Sequence, residues 1–186
     1  MAVFTFGFTA FGAAIVRIAE PITARTPNTH APRARMIARN GGVGLEIDGR
    51  QVTARIHRGG EASIAHLEFA AMAPATVAAL RKALGARPEP DDAVLAAARA
   101  EGHDPAPALE AADCSCRARS TFCVHVLAAL YALAVLVDNE PNTVLILQDF
   151  GAAEVAAEPD GAAADRPVPR WTPLASLDAR DYFALS

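Results

Sequence analysis

Lysine is almost missing from this 186-residue chain: Lys82 stands alone, and every other basic residue is an arginine. Aromatics are scarce as well, at 6%, although 52% of the residues are hydrophobic. Much of the hydrophobic share is alanine, so the core is expected to be built from small side chains, which suits close-packed helices. Long apolar runs are also lacking. The longest without a charge, residues 126–137, is well short of the ~20 that a membrane-spanning helix needs. Residues 1–19 have no basic n-region and are interrupted by glycines and threonines, so no secretory signal is expected. The expected setting is the cytoplasm, where cysteines more often hold metal than form disulfides. No carboxylate pair, no Ser/His/Asp order and no internal repeat stands out as an active site or a repeated unit.

Charge is unevenly spread. The chain is acidic overall, at −4, which argues against an overtly basic nucleic-acid binder. Residues 1–58, however, carry eight arginines against Glu20, Glu46 and Asp48, a net of +5, which leaves −9 for residues 59–186. A basic front and an acidic back predict a polarised surface.

Along the chain, Phe4, Phe6, Phe8 and Phe11 alternate with Gly7 and Gly12 before a helix expected over residues 13–20, stopped by Pro21. A Pro- and Thr-rich loop leads to a short basic helix at residues 33–39. Then Val43, Leu45 and Ile47 alternate with other residues up to Asp48-Gly49, a hairpin signal. Val52, Ala54 and Ile56 alternate again up to Gly59-Gly60, and a third strand is expected over residues 62–69. Val77, Leu80, Ala83 and Leu84 mark a helix that Gly85 can end. Asp91-Asp92 open another, where the helix dipole favours acids. Pro105 and Pro107 break the chain before the cysteines. A long apolar helix follows over residues 123–137. Residues 151–170, rich in Ala, Pro, Asp and Gly, read as a flexible tail. Trp171, Leu174, Leu177, Tyr182, Phe183 and Leu185 form a possible docking segment beyond it.

The informative stretch contains all three cysteines: Cys114-Ser115-Cys116, six residues, then Cys123-Val124-His125. Zinc prefers four tetrahedral S and N ligands, and a Cys3His set closes its shell with no open position. Cys-x-Cys in extended chain can present both thiolates to one ion. Cys-x-His at a helix start can supply the other pair. Buried free thiols, or a strained Cys114–Cys116 disulfide, are the alternatives. An odd cysteine count fits a disulfide scheme poorly and a Cys3His site well.

This pattern resembles the SWIM zinc finger family, whose signature is Cys-x-Cys, a variable gap, then Cys-x-His at a helix start. The resemblance to bacterial SWIM-containing proteins extends over roughly residues 4–150. It takes in the opening from Phe6 to Gly12, the basic segment and meander, and the apolar helix with its Leu-Tyr-Ala-Leu core. Two features depart from the family. Arg117, Ala118 and Arg119 replace its proline and aromatic, and Val124 replaces its basic residue between cysteine and histidine. The resemblance implies a non-catalytic role in DNA binding or protein contact, beside or within Swi/Snf-type helicase-like ATPases.

The expected fold is therefore α+β: a three-stranded antiparallel meander with helices and a Cys3His zinc finger leading into an apolar helix. Residues 1–150 are expected to form one SWIM-type domain with its finger core at 112–137, and residues 151–186 the tail. Its function is expected to be that of a zinc-binding interaction module, an accessory subunit or partner of such an ATPase. Direct nucleic-acid binding is the alternative, and a metal-dependent hydrolase a weaker one, since a closed shell leaves no place for substrate. Candidate contacts for partner or phosphate are Arg117 and Arg119 in the finger loop, with Arg33, Arg35 and Arg39 upstream. A solvated face is the plainer meaning of the upstream run, in which Arg25 also lies. His103 and Asp113 flank the finger, and Asp113 is a candidate to hydrogen-bond a ligand. His57 and His66 have no ligand spacing.

Overall fold

The computed structural model describes residues 6–151, apart from 24, 59, 117, 119 and 121 and the side chain of Arg58. The expected contacts at Arg117 and Arg119, and the docking segment at 171–186, thus lie outside the described residues.

Two helices come first, α1 (Ala10–Ala19) and α2 (Ala31–Arg39). α1 begins earlier than the hydrophobic pattern suggests because Thr9 caps it. The Thr9 hydroxyl oxygen accepts from the Gly12 N–H at 3.0 Å. α2 carries a proline in its first turn, where a missing N–H costs nothing, and buries Ala31, Ala34 and Ile37.

Strands β1 (Val43–Asp48), β2 (Gln51–Arg58) and β3 (Glu61–Phe69) make the expected meander. Asp48 pairs with Gln51, so the first hairpin turns on Gly49 and Arg50 rather than on Asp48-Gly49. Gly49 takes a φ of 52°, as a glycine-first two-residue turn requires. Among the described residues the sheet has four strands, not the expected three. β4 (Leu109–Cys114) pairs antiparallel with β3 and extends the order to β1-β2-β3-β4. Its sequence conceals it for a physical reason. Phe69 pairs with Leu109 but Glu68 pairs with Ala111, so Glu110 is an extra residue that breaks the two-residue alternation. Neighbouring alanines are also weak strand formers.

Between β3 and β4 lie α3 (Pro74–Leu84) and α4 (Asp92–Ala100). Gly85, at φ 55°, ends α3. Asp91 caps α4 by accepting from the Val94 N–H at 2.8 Å. The pair holds a small cluster of its own, Leu80, Val94 and Ala98.

α5 (Val124–Asn139) runs through the main core, and α6 (Thr143–Ile146) is a single turn after it. α5 touches α1, α2 and all four strands, which is why it has no polar face. Its apolar side chains meet Val52, Ala54, Ile56, Ala65, Leu67 and Phe69 from the sheet. At its far end Asp138 is only 6% exposed. The carboxylate accepts from the N–H groups of Gly7, Phe8 and Thr9 at 2.8, 3.1 and 2.9 Å, and from the Thr9 hydroxyl at 2.7 Å. These donors precede α1, so a negative charge sits at the positive end of that helix. Gly12 makes room for it: a Cβ there would stand 2.0 Å from the Asp138 carboxylate. Residues 6–9 of the aromatic and glycine opening therefore form a loop wrapped on a buried acid. Among the described residues, no helix is long and apolar enough to cross a membrane.

Candidate metal centre

The Cys-x-Cys pair lies on the end of the sheet. Ala65 of β3 points into the core, and Cys114 is its partner across the β3–β4 ladder, so the Cys114 side chain shares that inner face. The extended run continues past β4. The Ser115 N–H donates to the Ile64 carbonyl at 2.8 Å, and the Ile64 N–H donates back to the Ser115 hydroxyl oxygen at 2.9 Å. With Ser115 tied outward, alternation returns Cys116 to the side of Cys114.

The Cys-x-His pair lies at the start of α5. Cys123 is its N-cap, in extended conformation (φ −70°, ψ 171°), and its carbonyl accepts from the Leu127 N–H at 3.0 Å. His125 falls in the first helical turn. Cys123 is buried, at 2% exposed, while Cys114, Cys116 and His125 are half-buried. All three cysteines are free thiols, which removes the disulfide alternative.

One ligand atom from each of Cys114, Cys116, Cys123 and His125 lies within 4.8 Å of the others. Cys114 Sγ stands 3.8 Å from His125 Nδ1. Tetrahedral zinc, with Zn–S of ~2.3 Å and Zn–N of ~2.0 Å, sets its ligands roughly 3.5–3.8 Å apart. The four side chains are thus positioned to bind zinc. Burial pushes the Cys114 thiol up to about 12; the Cys116 backbone pulls the other way, and the Cys116 and Cys123 sulfurs add to the rise. Burial also opposes ionisation of Cys116, but hydrogen bonds from the Ala118 backbone and the other two thiols carry it below its ordinary value. A bound dication supplies the charge that lets each of the three become a thiolate.

Other candidates fall elsewhere. Asp113 lies on the open face of the sheet, paired across from His66, and so does not support a ligand. His66 Nδ1 is 3.3 Å from the Thr53 hydroxyl on that same face. His57 is exposed on β2, and the His103 N–H bonds the Ala98 carbonyl at the end of α4. The upstream arginines separate by environment. Arg33 and Arg39 are exposed on α2, with the Arg39 guanidinium 5.8 Å above the Phe6 ring. Arg35 pairs with Glu20 and lies 5.4 Å over the Tyr131 ring, so much of its charge is used within the fold. Glu20 also accepts from the buried Tyr131 hydroxyl. Burial, and then that bond, push the Tyr131 phenol above its ordinary value. Sequence reasoning missed Asp138 and the Glu20–Tyr131–Arg35 group. The available signal for the first was a single carboxylate in an otherwise apolar helix.

Residues 95–134 match the model of the SWIM zinc finger family, a span that runs from α4 into α5 and contains all four ligands. No curated protein and no solved structure matches the chain. The finger is accordingly a zinc-binding module of a kind that serves protein or DNA interaction.

Proposed function

We propose that the chain is a non-catalytic, zinc-ordered interaction module of the cytoplasm, acting as accessory subunit or partner of a nucleic-acid-acting, helicase-like ATPase. The observation that carries this reading is the four-donor cluster that ties the end of β4 to the start of α5. Its shell is closed, so a bound ion has no position left for substrate or activated water, which weighs against a metal-dependent hydrolase. What the ion does instead is hold a surface in shape. The ATPase as partner rests on the family likeness of the finger. In the same reading residues 1–150 act as one domain, and the segment at 171–186 adds a second point of attachment.

Affinity purification with the zinc-loaded chain, read by mass spectrometry, tests the proposal. It should capture a helicase-like ATPase, and the Cys116→Ala variant should not. Capture that is equal for both variants, or no ATPase at all, would count against it.

The exposed Arg33 and Arg39 on α2 favour direct nucleic-acid binding as a second reading. Arg117 and Arg119 belong to the same proposal. Under it, affinity for generic duplex DNA should fall steeply with salt, and the salt slope should shrink by roughly one for each arginine removed.

A further inference from the structure

Beside the finger lies a cleft of about 650 Å³. That is room for a few side chains, within the usual ~300–1,000 Å³ of binding pockets. Its apolar surface comes from Ile18, Ala19 and Phe122, with Pro21 and Pro27. Asn28, Thr29 and Ser120 add polar atoms suited to a peptide backbone. One wall hangs on the metal site: Phe122 directly precedes the ligand Cys123, and Asn28 Nδ2 donates to the Phe122 carbonyl at 3.4 Å.

Three exposed arginines neighbour residues of the lining in the sequence. Arg17 adjoins Ile18 and Arg25 adjoins Thr26 of the lining, and Arg33 lies one turn along α2 from His30; all three arginines are exposed. The one carboxylate in the lining, Glu20, is already engaged by Arg35 and Tyr131. A partly open, largely apolar cleft with exposed arginines next along the chain suits apolar side chains flanked by acids. A nucleic-acid backbone would leave that cleft empty.

We propose that this cleft takes a short peptide of a protein partner, in which one or two apolar side chains are flanked by Asp or Glu. The proposal rests on the reading of the chain as an interaction module and names the chemistry it would recognise. Zinc and peptide are then linked, because the ion fixes the wall that carries Phe122.

The test is a titration of the ¹⁵N-labelled, zinc-loaded full chain with a short synthetic peptide carrying Leu and Phe among Asp and Glu. Amide shifts should centre on Ile18, Thr26, Thr29, Ser120 and Phe122. Arg25→Glu with Arg33→Glu, both surface changes, should weaken binding about tenfold or more, roughly 1.4 kcal/mol or above. The lysine counterpart of the peptide should bind that variant better than it binds the parent. Thr29→Trp, which fills the cleft, should abolish the shifts. The proposal is overturned if no shifts appear, if they centre elsewhere, or if charge reversal changes nothing. It is equally overturned if the peptide with Ala in place of Leu and Phe binds as tightly, or if duplex DNA displaces the peptide and reproduces its shifts. The module reading fails separately, through the affinity purification: an ATPase captured by a chain that ignores the peptide would sink only the cleft.

Discussion

Asp138 is the only carboxylate in α5, and four hydrogen bonds converge on it from the loop before α1. Replacing it with Ala strands those donors in a mostly buried place, at ~1–3 kcal/mol for each that finds no water. Asp138→Ala should therefore lower unfolding free energy by about 3 kcal/mol or more, measured by denaturant titration. Gly12→Ala should be destabilising too, because the added Cβ would meet the carboxylate at 2.0 Å. If that clash is the cause, the Gly12→Ala penalty should shrink in an Asp138→Ala background, and a double-mutant cycle reads this directly. Full additivity would mean that the glycine serves something else. At this scale legibility was uneven. The metal ligands could be read because thiols are rare in the chain and their spacing has few uses. The Asp138 contact joins residues 129 to 131 positions apart, and no local pattern announces it.

Elements were legible where period and turn chemistry agreed. The two hairpins of the meander and the helices closed by Gly85 and opened by Asp91 are cases of this. β4 was not, since the extra residue Glu110 disrupts its alternation and its pairing with β3 bridges two intervening helices. α5 was recognised as apolar all round, and the structure accounts for that: sheet and helices surround it. Leu130 is fully buried there, whereas Ala132 is half-buried beside a groove bordered by Ala38, Val43 and Leu45. Leu130→Asp gives up ~1.5–3 kcal/mol of burial and adds a buried, unpaired charge, so the variant should be unfolded by circular dichroism. Ala132→Glu reaches solvent through the groove and should leave a folded, zinc-binding protein. Two equally folded variants would show that α5 is not the core of the fold.

For the molecule as a whole, the metal matters because its ligands come from the end of the sheet and the start of the central helix. Structural zinc in small fingers contributes on the order of 10–16 kcal/mol of apparent binding energy, against ~5–15 kcal/mol for the net stability of a domain. Removal of the ion should therefore loosen α5 and the sheet together. With a chelator the melting temperature should fall by at least about 20 °C, or the cooperative melt be lost altogether, since in a chain of this size each kcal/mol shifts it by roughly 2–4 °C. A melt unchanged by full zinc removal would confine the ion's role to the finger loop. The α+β class and the site at the head of the apolar helix were readable in the sequence. What wraps around that helix was not, because it depends on contacts between distant segments. The most direct test of the central claim is the metal content of the folded chain, purified with zinc supplied and no chelator, by elemental analysis. One zinc per chain is predicted, lost in Cys116→Ala and in His125→Ala; a folded parent chain holding no stoichiometric zinc would contradict it.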